Sequence, residues 1–126
     1  MLIPYDTQLL IDEHLLTVAV LTGKINLDVI EECRGHCSYM VKHGMSHAKI
    51  KERVARLKKK YKDYNFSEIV AENSEKTPEE AAIHFATQWR QSPGHWAILS
   101  SPCDIFGFSL CCYKGKNYAI GLFGRG

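Results

Sequence analysis

The chain has 126 residues, 45% hydrophobic and 24% charged, the balance of one soluble domain, 1–126, around one core. A net charge of +2 marks no polyelectrolyte, so nucleic acid is not an expected partner. No apolar run approaches the roughly 20 residues of a membrane-spanning helix, and the first residues lack the basic start and small-residue cleavage site of a signal peptide.

Asp6 or Thr7 caps a first expected helix, which runs to about Leu21 and stops at Gly23. Asn26 caps a second. Its Val29, Cys33, His36 and Met40 share one face, with Ile30, Cys37 and Val41 beside them, and Gly44 is its stop. His36 on that apolar face reads first as a core or cleft-edge histidine. A third helix follows in "MSHAKIKERVARLKKKYKDY", with Ser46 as its cap and His47 in its first turn. Ile50, Val54, Leu57 and Tyr61 form its apolar stripe. The rest is basic, since half of the chain's 16 Lys and Arg lie between Lys49 and Lys62, and reads as a solvated face. "NFSEIVAEN" is extended. "KTPEEAAIHFATQW" is the clearest helix start: Thr77 at the N-cap, Pro78 at N1 and Glu80 at N3 of a capping box. Ala81, Ala82, Phe85 and Trp89 make its inner face. Ser92-Pro93-Gly94 breaks it, and "GHWAILSS" forms a short turn of helix. "CDIFGFSLCCYKGKNYAIGLFG" reads as a hairpin turning at 114–117. Helices then cover a small antiparallel sheet on both faces, an α+β fold.

Five cysteines are an odd number, so one at least lacks an intrachain partner if the others pair. There is no CxxC and no zinc-ribbon spacing. They read as small buried side chains with at most an optional bridge. Cys111 and Cys112, adjacent in a strand, point to opposite faces.

Three segments together resemble the CAP superfamily (cysteine-rich secretory proteins, antigen 5 and pathogenesis-related protein 1), in its short bacterial SCP-like branch. They are "MSHAKI", "SEIVAEN" in place of a Gly-Glu-Asn motif, and "TPEEAAIHFATQWRQSPGHWAIL". The closing hairpin extends the likeness over roughly residues 8 to 124. The resemblance implies an α-β-α sandwich with a cleft lined by His47, Glu68 and His95, and a secreted or extracytoplasmic setting, while the missing signal segment leaves a cytoplasmic one open. Ser92 stands where longer relatives carry a second acid. Ser67 and Ile69 replace the Gly and Asn around Glu68.

Two neutral imidazoles and a carboxylate are a donor set for zinc, with a position left open for water. His47 and His95 are thus candidate metal ligands, joined by Glu68. Glu68 and His95 are also the candidates for catalysis, since such a trio polarises water for hydrolysis. His36 and Ser92 complete the expected cleft. Three functions stay open: a module binding a small molecule, lipid or protein partner, as relatives credited with sterol or lipid binding suggest; a metal-assisted hydrolase; and an interaction domain with a vestigial cleft.

Overall fold

The computed structural model describes residues 23–126. The first expected helix lies outside the described residues. Within them the order is β1 (Lys24–Ile25), α1 (Leu27–His43), α2 (Ile50–Lys58), β2 (Asn65–Asn73), α3 (Pro78–Gln91), α4 (Pro93–Leu99), β3 (Ile105–Tyr113) and β4 (Lys116–Arg125).

Local chemistry sets the helix ends. The Asn26 side chain accepts from the Val29 amide at 3.0 Å, satisfying one orphan donor of α1. Gly44, at φ 90°, ends that helix in a conformation that disfavours a side chain. Thr77 Oγ1 accepts from the Glu80 amide at 3.1 Å. The returning arm of this box is the Thr77 hydroxyl donating to the Glu80 carboxylate at 3.0 Å, not the backbone contact the motif predicts. The third expected helix starts later than Ser46: α2 begins at Ile50, after Lys49 in the left-handed region at φ 62°. His47 therefore lies in the turn before the helix, where its ring is not tied to a helical face.

The sheet order is β1-β3-β4-β2. The expected hairpin is present, and its turn is tighter than 114–117. Tyr113 pairs with Lys116, and Lys114 and Gly115 both have positive φ, as a two-residue turn between right-twisted strands requires. β2 pairs antiparallel with β4 over its whole length. The sheet is nevertheless mixed rather than antiparallel, because β1 runs parallel to β3. Two residues carry no periodicity that would announce such a strand.

Side chains alternate across the strands and build two cores. Ile69, Phe106, Phe108, Ala119 and Phe123 pack with Ala82, Phe85 and Trp89 of α3 and Leu99 of α4. Val70, Cys111, Ile120 and Leu122 pack on Val29, Cys33, Cys37 and Met40 of α1 and Leu57 of α2. Each large side chain removed from water here contributes about 1.5–3 kcal/mol. Trp89 lies between Phe85 and Phe108, with ring centroids 6.0 and 5.8 Å away. α1 approaches β3 so closely at Gly107 that a Cβ there would sit 2.9 Å from Ile30 Cγ1. Cys37 and Cys111 bridge the same interface, with Cα atoms 6.0 Å apart. Cys111 faces α1 and Cys112 packs against the α3 side, the opposition that strand alternation predicts.

Candidate functional site

β2 is an edge strand of this sheet, and α3 covers its outer rim. Gln88 Nε2 donates to Glu72 O at 3.0 Å, and Trp89 Nε1 to Val70 O at 3.4 Å. The chain then breaks at Pro93 and restarts as α4. Arg125 fixes that restart from below: it donates to Ile98 O and Pro102 O at 2.8 Å and to Ser67 Oγ at 3.3 Å. Between the rim, the α3–α4 corner and the loop before α2 lies a cleft of about 420 Å³, lined by Met45, Val70, Glu72, Trp89, Ser92 and His95 among others.

His95 sits at the third residue of α4, with Ser92 at its cap. Its Nδ1 meets Ser92 Oγ at 2.9 Å. The Pro-Gly break therefore does bring the two side chains face to face, by the cap-to-N3 spacing of a capping box. Burial lowers the pKa of His95 below 6.5, and the neighbouring His47 lowers it further. The ring is neutral at pH 7, and its Nε2 is the nitrogen left for a ligand.

Glu68 projects from β2 to the α1–α2 side with its carboxylate fully buried. Arg53 of α2 grips it as a fork: Nε donates to Oε2 at 2.9 Å and Nη2 to Oε1 at 2.8 Å. His47 Nδ1 lies 2.8 Å from Oε1. A carboxylate held by arginine accepts, so His47 donates from Nδ1 and keeps Nε2 free. Half of the His47 side chain is exposed. Glu68 thus orients His47, in the way a carboxylate behind a metal-bound histidine does. Both of its oxygens are engaged, which leaves it poorly placed as a direct ligand or as a base.

Arg53 also reaches His36. Its Nη1 lies 2.9 Å from His36 Nδ1 and 2.6 Å from Ala48 O. Guanidinium has no acceptor, so His36 Nδ1 accepts and its Nε2 donates to Ser46 O at 2.6 Å. Burial lowers the His36 pKa, and the Arg53 cation adds to that. His36 is a neutral bridge that ties α1 to the turn bearing His47. It does not line the cleft; with Tyr39, Lys49 and Arg53 it lines a separate pocket.

The sequence-predicted residues fall into two groups. His47, Glu68 and His36 are joined through Arg53, while His95 and Ser92 pair with each other. His95 and Ser92 line the cleft, while His47 and Glu68 are not among its lining residues. Among the described residues no three His, Cys, Asp or Glu side chains are grouped to hold a metal ion. The donor set that remains is two imidazole nitrogens, one short of the three protein ligands usual in a catalytic zinc site.

Sequence reasoning missed Arg53. It lies in a basic run whose composition reads as a solvated face, yet it is 3% exposed and its side chain makes four hydrogen bonds. Nothing local distinguishes it from its neighbours. Arg125, alone between two glycines at the end of β4, was also missed, since its partners Ile98, Pro102 and Ser67 are far away in sequence.

No family model matches the chain, and no curated protein matches it. A similar solved structure is that of an outer surface protein from Borrelia burgdorferi, with a TM-score of 0.75 and 16% identity over 99% of this chain and 97% of that one. At that identity the likeness concerns the fold alone. Four described helices and a small mixed four-stranded sheet make this an α+β protein. No helix of the described residues is long and apolar enough to cross a membrane.

Proposed function

We propose that this chain is a non-enzymatic binding module of the CAP superfamily. Its cleft holds a small ligand or a divalent metal such as zinc through His47 and His95, and its outer surface meets lipid or a protein partner. The observation that carries this reading is the orientation of His47: Glu68 accepts from Nδ1 at 2.8 Å and leaves Nε2 turned from its partner. A histidine of fixed tautomer, His47, and a second histidine, His95, that lines a cleft of ligand size support a recognition role. The hydrolase alternative draws less support, because the carboxylate it needs is engaged by Arg53 and the nitrogen of His95 that faces Ser92 has no acid behind it. The name of the similar structure, an outer surface protein, supports an extracytoplasmic setting, as does a disulfide between Cys37 and Cys111.

Zinc titration by calorimetry tests the site. Wild type should release heat that His47→Ala and His95→Ala each abolish, while Glu68→Gln weakens binding by about 10–100-fold, the usual cost of losing an orienting carboxylate. Equal heats from wild type and the two alanine variants would end the metal reading.

A further inference from the structure

The net charge of +2 conceals a strong asymmetry. Residues 49–62 hold eight basic side chains and one acidic, net +7, while the rest of the chain holds eight basic and thirteen acidic, net −5. Three of those eight are neutralised within the fold: Arg53 by Glu68, Arg56 by Glu32 and Lys60 by Asp28. Lys49 stands over the Tyr39 ring. Lys51, Lys58, Lys59 and Lys62 make no ion pair among the described residues.

Two of these lysines, Lys51 and Lys58, line an apolar groove, and Lys59 and Lys62 follow in the same basic run. The apolar stripe predicts that Ile50 and Val54 turn into the core with Leu57. Instead Arg53 and Leu57 are the buried pair of α2, and Ile50 and Val54 stay half-buried at its edge. With Ala55 and the stems of Lys51 and Lys58 they line a shallow groove of about 420 Å³.

We infer that this face of α2 docks on an anionic lipid surface. Apolar side chains enter the boundary of the headgroups, and the lysines of the basic run meet the lipid phosphates. The inference rests on the lipid-binding half of the function proposed above and is independent of the histidine cleft. Charge complementarity names the occupant, and the apolar floor separates it from nucleic acid. A single-strand binder would place aromatic rings among its charges, and here the floor of the groove is aliphatic.

The test is sedimentation of the full chain with phosphatidylcholine vesicles, with and without phosphatidylglycerol, at low and high salt. The protein should pellet only with the anionic vesicles and be released by salt. Lys51→Glu with Lys58→Glu should weaken binding at least about tenfold. Lys59→Glu with Lys62→Glu should do likewise, and circular dichroism should show all variants folded. Val54→Gln should weaken binding about fivefold and leave the salt dependence unchanged. His47→Ala with His95→Ala should bind vesicles like wild type, so failure of the cleft and failure of this surface can be told apart. Three results would overturn the inference: equal binding to neutral vesicles, charge-reversal variants that bind like wild type, or a single-stranded oligonucleotide that displaces the vesicles. A fourth is amide exchange at α2 that vesicles do not slow.

Discussion

Arg53→Ala is the sharpest perturbation the structure offers. It removes both arms of the fork on Glu68, the bond to His36 and the bond to Ala48 O. The Glu68 carboxylate is then left fully buried with His47 as its one remaining partner. Breaking a buried ion pair from one side costs about 3–5 kcal/mol, because the orphaned charge has lost its compensation. A domain of this size has about 5–15 kcal/mol in total, so the variant gives up about a fifth or more. Urea denaturation should show that loss, and thermal melting a fall of roughly 10–20 °C. Arg53→Lys keeps the charge and loses the fork, so it should fall between wild type and alanine. Arg53→Met combined with Glu68→Leu removes both charges together and should cost less than Arg53→Ala alone. If Arg53→Ala cost under about 1 kcal/mol, the value of an exposed pair, the network would not be the buried anchor described here.

Two other predictions concern pH and redox state. His36 and His95 have folded pKa values below 6.5, so both are neutral in the fold. Above about pH 6.5 both states are neutral and nothing is gained; below it the unfolded chain takes protons that the fold resists, and stability is lost. His36→Gln should be less stable at pH 7.5 but show a shallower loss between about pH 7.5 and 5.5; an unchanged slope would count against the neutral bridge. Reducing Cys37–Cys111 opens a loop of 74 residues, which should cost about 4 kcal/mol in denaturant. Five titratable thiols in the denatured, unreduced protein would refute the bridge.

What could be read in the sequence was what local chemistry decides. Asn26, Gly44 and Thr77 mark helix ends because each satisfies or releases a backbone group within a few residues. The hairpin was legible because alternation and a Gly at the turn are short-range signals. The position of His95 was half legible. The helix break is visible in Pro93 and Gly94, but spacing across them does not by itself bring Ser92 to the ring; the cap-to-N3 geometry of α4 does. β1 and the start of α2 were not legible, since a two-residue strand and a left-handed lysine leave no pattern. Arg53 was hidden for a different reason: its burial depends on Glu68, fifteen residues on and in another element.

Helical phase explains how one basic run serves two ends. Residues 53 and 57 lie one turn apart and face the sheet, while 51 and 58 lie two turns apart on another face. Had α2 followed its apolar stripe, Ile50, Val54 and Leu57 would all point inward and Arg53 would sit near the rim. The buried carboxylate on β2 rolls the helix the other way. A fork to Glu68 offsets the desolvation of Arg53, and the displaced aliphatic side chains are left at the surface among lysines. The same roll that orients His47 therefore creates the apolar groove. Replacing Glu68 with leucine in the paired variant should turn Ile50 and Val54 inward, and vesicle binding should weaken along with the loss of the oriented histidine. A paired variant that keeps full vesicle affinity would separate the two features and show that the groove owes nothing to Glu68.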